Sequence, residues 1–308
     1  MADDEPLVWL PFEVDKLGDP PDGLRYETVT PTGDDDVPPS VAEVQFYVPP
    51  YNLGQGQAPL FRKMTRLQVV QTLTAGVDHI RGEVPEGVLL CNGRGIHNAS
   101  TAELALTLTL ASLRGVPGFV DAQHGERWTQ GWRPSLADST VLIVGYGDIG
   151  RDVESRLRPF EVEVLRVART ARDGVGTLAD LPDLLPRADV VILIVPGTSE
   201  TRGLVDASFL NRMKRGALLV NVARGPVVVT DDLVPALRSG QVHAALDVTD
   251  PEPLPKGHPL WSAPNLLITP HVGGATPAMW PRAYRLVRAQ LERFAAGEKL
   301  ANVMTGEY

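Results

Sequence analysis

Val141-Leu142-Ile143-Val144-Gly145-Tyr146-Gly147-Asp148-Ile149-Gly150 sets a strand-length apolar run directly ahead of three glycines spaced G-x-G-x-x-G. In this order Gly145 permits a tight turn, Gly147 lets a pyrophosphate approach the backbone, and Gly150 lets helix and strand pack closely. The helix N-terminus then supplies amide donors and the positive end of its dipole. The spacing alone also fits a structural glycine turn. Its strand-turn-helix setting instead predicts a nucleotide on Gly145, Tyr146, Gly147, Asp148, Ile149 and Gly150.

Downstream, apolar runs recur at Val162–Val167, Val190–Val195, Ala217–Val222, Ala244–Val248 and Leu266–Thr269. Ile149–Arg158 joins the first two of the six strands, and helix-length segments such as Asp206–Met213 and Thr230–Arg238 fill later gaps. This alternation predicts a doubly wound parallel sheet with right-handed crossovers. An NAD site normally carries an acid at the end of the second strand, about 20 residues after the glycines. Here that strand ends Arg166-Val167-Ala168-Arg169-Thr170, and Glu161 and Glu163 fall too early. Arg169, with Thr170 beside it, offers a planar cation suited to a 2′-phosphate, so NADP(H) is expected ahead of NAD(H). The competing reading makes Arg169 and Arg172 ordinary exposed arginines.

Upstream, short runs at Leu7–Leu10, Arg25–Val29, Val44–Val48, Leu67–Thr72 and Val88–Cys91 predict a smaller α/β layer domain. Ser100-Thr101-Ala102-Glu103 has the spacing of a capping box, predicting a helix over Ser100–Arg114. Leu104, Ala105, Leu106, Leu108, Leu110, Ala111 and Leu113 leave that helix little polar face, so it is expected to bury itself against another domain or subunit. Ala278–Ala296 carries Ala283, Val287, Leu291 and Phe294 on one stripe, with Pro281 near its start, predicting a terminal helix that packs on the first domain. The expected division is residues 1–98 with 277–308, and residues 99–276.

A chain of 308 residues favours two cores. Against 29 basic residues stand 38 acidic ones, a net charge of −9, which argues against a chain built to neutralise nucleic-acid phosphates. No apolar run approaches the roughly 20 residues of a membrane helix. The lone Cys91 ends the run Val88-Leu89-Leu90 and reads as a buried structural thiol. With no basic-then-apolar leader in MADDEPLVWL, the cytoplasm is the expected compartment. His79, His97, His124, His243 and His258 lack metal-ligand spacing, so no metal is expected. Trp132 and Trp280 fit a ligand cleft, a subunit contact or ordinary packing.

Three polar groups stand at the ends of later strands, where ligands sit in open α/β sheets. They are Arg224 in Asn221-Val-Ala-Arg-Gly225, Glu252 in Asp247-Val-Thr-Asp-Pro-Glu252, and His271 in Thr269-Pro-His271-Val-Gly-Gly274. A histidine kept protonated by a carboxylate can give a proton to a carbonyl oxygen, and an arginine can hold a carboxylate bidentately. Gly225 is expected to admit close approach of a ligand. Together the three groups make reduction of a 2-oxo acid chemically coherent.

These segments, with Gly145–Gly150 and Val195-Pro-Gly-Thr198-Ser-Glu-Thr201-Arg-Gly-Leu204, closely resemble the D-isomer-specific 2-hydroxyacid dehydrogenase family over nearly the whole chain. The resemblance implies a flavodoxin-like substrate domain formed by both chain ends, an inserted Rossmann domain, a cleft between them, and a homodimer built across the long helix. It makes His271 the acid/base, Glu252 its partner and Arg224 the substrate clamp. It places the substrate carboxylate on backbone amides of Ala75, Gly76 and Val77, within Thr74-Ala-Gly-Val-Asp-His79. Asp247 resembles the position facing the nicotinamide carboxamide. Pro196, Thr201, Val222, Ala223 and, more weakly, Thr101 match positions lining the cofactor.

Asn92-Gly-Arg94-Gly95 departs from the family's Asn-x-Pro-Gly and sets Arg94 near the expected substrate loop, where it could grip a second anionic group. Gly197 and Thr249 depart from a larger apolar residue and an aromatic. The expected activity is reduction of a small 2-oxo acid, such as glyoxylate or hydroxypyruvate, to the D-2-hydroxy acid. The alternatives are an NAD-dependent member of the family and a nucleotide-sensing, corepressor-like interaction protein. Formate or phosphite oxidation is disfavoured by the chain's length and its Glu-His arrangement.

Overall fold

The computed structural model describes residues 5–31, 37–51 and 54–306. In chain order these form β1 (Leu7–Leu10), β2 (Arg25–Thr28), β3 (Val44–Tyr47), α1 (Ala58–Lys63), β4 (Val69–Gln71), β5 (Leu89–Cys91), α2 (Asn98–Leu113) and α3 (Val116–His124). There follow β6 (Thr140–Val144), α4 (Asp148–Leu157), β7 (Glu163–Val167), α5 (Leu181–Leu184), β8 (Val190–Leu193), α6 (Ala207–Arg212), β9 (Ala217–Asn221), α7 (Thr230–Arg238), β10 (Val242–Leu246), β11 (Leu266–Ile268) and α8 (Met279–Ala295). The chain divides into two units, residues 1–97 with 277–308, and residues 98–276.

The discontinuous unit holds a parallel sheet in the order β2-β1-β3-β4-β5, the flavodoxin-like winding. Alternation along each strand feeds two cores. Val8, Leu10, Phe46 and Val48 pack on one face with Met279, Ala283, Val287 and Leu291 of α8. Leu7, Trp9, Val44 and Tyr47 pack on the other with Leu60 and Phe61 of α1. Both faces are covered, so the strands read as nearly continuous apolar runs.

The central unit holds six parallel strands in the order β11-β10-β9-β8-β6-β7, a Rossmann-like doubly wound sheet. Leu142 and Val144 face a core shared with Phe209 and Leu210 of α6 and Leu233 and Leu237 of α7. Val141 and Ile143 face Ala102, Ala105 and Leu108 of α2 and Val153 and Leu157 of α4. The winding reverses between β6 and β8, and the glycine-rich loop leaves β6 at this switch point, where such sheets open a ligand crevice.

One helix expectation is corrected. α2 begins at Asn98, so Ser100 lies inside the first turn, and its hydroxyl pairs with that of Thr276 at 2.6 Å rather than capping the helix. α2 lays Ala102, Ala105, Leu106 and Leu108 against α4 and the sheet of its own unit, while Leu104, Leu110, Ala111 and Leu113 are half-buried. The large apolar side chains left in solvent on this unit include Phe119 on α3 and, beyond it, Trp128 and Trp132, which are 91% and 100% exposed. Among the described residues, no helix is long and apolar enough to cross a membrane.

Candidate active site

Nearly all candidate residues of the central unit follow the carboxyl ends of its strands; Thr101, on α2, is the exception. After β6 the chain turns at Gly145 with φ +108°, and an added Cβ would stand 2.5 Å from the Ile194 carbonyl, so only glycine fits. Gly150 likewise packs under the Gly145 carbonyl, 2.9 Å from where its Cβ would be. An added Cβ at Gly147 would meet no atom within 4 Å, leaving open ground before α4. The first α-helical bond there is Arg151 N–H to the Gly147 carbonyl at 3.0 Å, so the amides of Asp148, Ile149 and Gly150 head the helix. A dinucleotide pyrophosphate fits this combination of open ground, leading amides and dipole. The side chains of Tyr146 and Ile149 pack against the core of the unit, while the Asp148 carboxylate pairs with Arg151.

The tip of β7 is tied to the same loop, because the Val167 carbonyl accepts from the amides of both Gly145 and Tyr146 at 2.8 Å. Arg169 and Thr170 follow that tie and are exposed. Arg172 donates to the Tyr146 carbonyl and lies 5.5 Å from the centre of the Tyr146 ring. Beneath the loop is a cluster that motif spacing alone misses. The buried carboxylate of Glu154 accepts from Arg166 at 2.6 and 2.7 Å and from the Tyr146 hydroxyl at 2.5 Å. The Arg166 hydrogen bonds outweigh burial and hold the Glu154 carboxyl down at about 2. The available signal was Arg166 itself, a cation set between the apolar Leu165 and Val167 of β7.

Beyond β8, the Thr201 hydroxyl donates to the Pro196 carbonyl at 2.6 Å and accepts from the Thr198 amide at 3.0 Å, locking the Val195–Leu204 loop. Val222 and Ala223 are buried after β9, and the Asn221 side chain accepts from the Ala223 amide and donates to the Arg224 carbonyl, each at 3.0 Å. Arg224 is half-buried and donates to the Ala223 carbonyl at 2.7 Å. Gly225 corrects an expectation. A Cβ there would lie 1.9 Å from the Thr249 carbonyl oxygen, so the residue admits close approach of the chain's own backbone, not of a ligand. That approach brings the segment carrying Glu252 beside Arg224.

Glu252 and His271 meet, with Oε1 and Nδ1 2.5 Å apart. The carboxylate hydrogen bond, acting against burial, raises the His271 pKa above the ordinary 6.5; nearby Arg224 pulls the other way. Burial is the largest single influence on the Glu252 pKa and would raise it, but the hydrogen bond and charge of His271, with the Thr249 amide and Arg224, together outweigh it and the net direction is down. With Nδ1 taken, Nε2 is left for exchange of a proton with a substrate. His271 itself sits at φ +53°, in the left-handed region. The Asp247 carbonyl accepts from the His271 amide at 2.7 Å. The buried Asp247 carboxylate accepts from the Thr269 hydroxyl at 2.6 Å and from the amides of Val272 and Gly273 at 2.9 Å each. Thr101 faces the Gly273 carbonyl from α2 at 3.5 Å. Asp247 thus anchors the histidine loop, a role its motif did not disclose.

In the discontinuous unit, three consecutive carbonyls of the loop after β4 are each hydrogen-bonded within the unit. Those of Thr74, Ala75 and Gly76 accept from the Gly93 amide at 2.7 Å, the Asn92 side chain at 2.9 Å and the Thr74 hydroxyl at 2.8 Å. In a trans peptide the N–H points opposite the carbonyl, so the amides of Ala75, Gly76 and Val77 are directed away from these partners. Arg94 is exposed on the adjoining loop.

Comparison with known proteins identifies the family. The model of the D-isomer specific 2-hydroxyacid dehydrogenase NAD binding domain matches residues 106–273. The chain belongs to the D-isomer-specific 2-hydroxyacid dehydrogenases. It is thus an NAD(P)-dependent oxidoreductase. This dehydrogenase is 36% identical over 225 residues to human glyoxylate reductase/hydroxypyruvate reductase, covering 68% of each chain. A D-isomer specific 2-hydroxyacid dehydrogenase from Xanthobacter autotrophicus Py2, solved with NADPH and MES, shares its fold at a TM-score of 0.82 and 30% identity, covering 98% of each chain. The NADPH-dependent glyoxylate/hydroxypyruvate reductase of Sinorhizobium meliloti, solved with NADP and sulfate, matches at 0.82 and 26% identity, again over 98% of each.

Proposed function

We propose that this dehydrogenase reduces a small 2-oxo acid of the glyoxylate or hydroxypyruvate kind to the D-2-hydroxy acid, preferring NADP(H), with His271 as acid/base. The observation that carries the reading is the Glu252–His271 contact at 2.5 Å with Arg224 acting on the same imidazole. A nicotinamide held beside the Gly145–Gly150 loop would supply the hydride. His271 Nε2 gives its proton to the carbonyl oxygen, while Glu252 holds Nδ1 and fixes the ring. Arg224 stabilises negative charge growing on that oxygen and clamps the carboxylate, which the amides of Ala75, Gly76 and Val77 also receive. Arg94 is a further substrate contact.

Residues Gly145 to Gly150, Pro196, Thr201, Val222, Ala223, Asp247 and Thr101 form the cofactor wall in this reading. Arg169 and Thr170 receive the 2′-phosphate; exposed Arg169 at the β7 tip and the NADP complexes of two neighbours support this. Residues 1–98 with 277–308 act as the substrate domain and 99–276 as the dinucleotide domain. The enzyme works in the cytoplasm as a homodimer, and the bare indoles of Trp128 and Trp132 support the pairing of two copies. The deciding experiment follows oxidation of NADPH and NADH side by side with glyoxylate, hydroxypyruvate, pyruvate and a phenyl-substituted 2-oxo acid. Faster turnover with NADPH is expected. Equal use of NADH removes the cofactor preference, and no turnover with any pair overturns the reductase reading.

A further inference from the structure

Two glutamines lie fully buried in the discontinuous unit, Gln71 at the end of β4 and Gln290 on α8. Buried amides are costly unless every polar atom is paired, and here they are. Gln290 Oε1 accepts from the Ala301 amide at 2.9 Å. That backbone donor fixes the orientation of the side chain, so Nε2 faces the Ala301 carbonyl and Gln71 Oε1, each at 2.8 Å. Gln71 is oriented in turn, and its Nε2 donates to the carbonyls of Thr72 at 2.9 Å and Asn92 at 3.1 Å. Asn92 closes the run by donating from Nδ2 to the Ala75 carbonyl at 2.9 Å. The segment after α8 grips Asn92 a second time. The Asn302 carbonyl accepts from the Asn92 amide at 3.1 Å, and Asn302 Nδ2 reaches the carbonyls of Asn92 and Arg94 at 3.4 Å.

We infer that Gln290 and Gln71 are positioning residues, a buried amide relay through which the segment after α8 holds the Thr74–Val77 loop in the shape that presents its amides to the substrate carboxylate. The inference rests on the reading of that loop given above. Neither glutamine touches substrate. Their effect is to keep the Ala75 carbonyl turned inward, which keeps the Gly76 N–H turned outward. A polar relay does this where an apolar pair would not, because hydrogen bonds fix direction as well as distance.

The test compares Gln71→Met with the parent enzyme by hydrogen exchange without ligands and by glyoxylate kinetics with NADPH. Gln71→Met cuts the relay in its middle while leaving Gln290 on Ala301. Asn302→Gly is the second variant, since Asn302 sits at φ +56°, where glycine is at ease, and the change removes only the Nδ2 contacts of the outer grip while keeping its backbone carbonyl on Asn92. The Gly93 amide, bonded to the Thr74 carbonyl of this loop, should exchange about tenfold faster in Gln71→Met. The KM for glyoxylate should rise about fivefold, with kcat and the KM for NADPH unchanged. A smaller shift of the same kind is expected for Asn302→Gly. Unchanged Gly93 exchange in both folded variants overturns the relay, whatever happens to KM. Faster exchange with an unchanged glyoxylate KM leaves the relay standing and overturns the reading of the loop as the carboxylate site.

Discussion

His271 is a residue whose chemistry depends on an uncommon backbone. At φ +53° a β-carbon is crowded, and the three hydrogen bonds to the Asp247 carboxylate, from Thr269, Val272 and Gly273, over-determine the loop that carries it. Replacing His271 with Ala should lower kcat by about 10²- to 10⁴-fold while leaving NADPH affinity nearly intact, read by steady-state kinetics and fluorescence titration. The raised His271 pKa sets the sign of the pH dependence. In the proposed reaction reduction needs the protonated ring, so kcat/KM for glyoxylate should hold below the raised pKa and fall as pH rises through it. In Glu252→Gln the principal raising contact is lost, and that fall should move to lower pH; an unmoved profile would place the limiting proton elsewhere. For the cofactor, Arg169→Ala should raise the KM for NADPH about tenfold or more and leave that for NADH unchanged.

Elements meet the site through a few close approaches. β6, β7 and α4 are joined under the glycine loop by Glu154, whose pairing with Arg166 and Tyr146 holds its pKa at about 2. A carboxyl lowered from 4.5 stabilises the fold above that value and loses the contribution as pH falls towards 2. Up to about 3 kcal/mol is at stake. Glu154→Gln should therefore lower Tm at neutral pH and flatten its decline between pH 4.5 and 2, as a pH series of thermal melts would show. Arg166 stood in the sequence as one residue of a predicted strand, and Glu154 as one of a predicted helix. Only the packing of α4 on the sheet brings them within 2.6 Å.

On the scale of the whole molecule, the two units differ in how their helices are used. α2 buries Ala102, Ala105, Leu106 and Leu108 on the sheet behind it, and Phe119, Trp128 and Trp132, just beyond it in the chain, are exposed aromatics of that unit. If this surface pairs two copies, light scattering should give twice the 33.3 kDa chain mass, and Trp128→Ser with Trp132→Ser should shift it towards monomer. A monomeric parent enzyme would remove the dimer from the proposal.

Much was legible in the linear order of residues. The strands from Leu7 to Ile268, the glycine turn and the motifs around Arg224, Glu252 and His271 could be read because strand burial, turn geometry and strand-end chemistry leave local patterns. Two kinds of fact were not local. Gly225 looked like room for a ligand and proved to be room for the Thr249 backbone, and Ser100 looked like a cap and proved to be half of a pair with Thr276. Gln71 and Gln290, 219 residues apart, carried no periodic or motif signal at all. Sequence by itself determined the two α/β layers and set the glycine turn, Arg224, Glu252 and His271 at strand ends, since each follows from neighbours within a few positions. The tertiary structure alone decided which buried polar groups are paired and what holds the reactive loops in place. Hydrogen-bond partners are chosen by proximity in space after the sheets have formed.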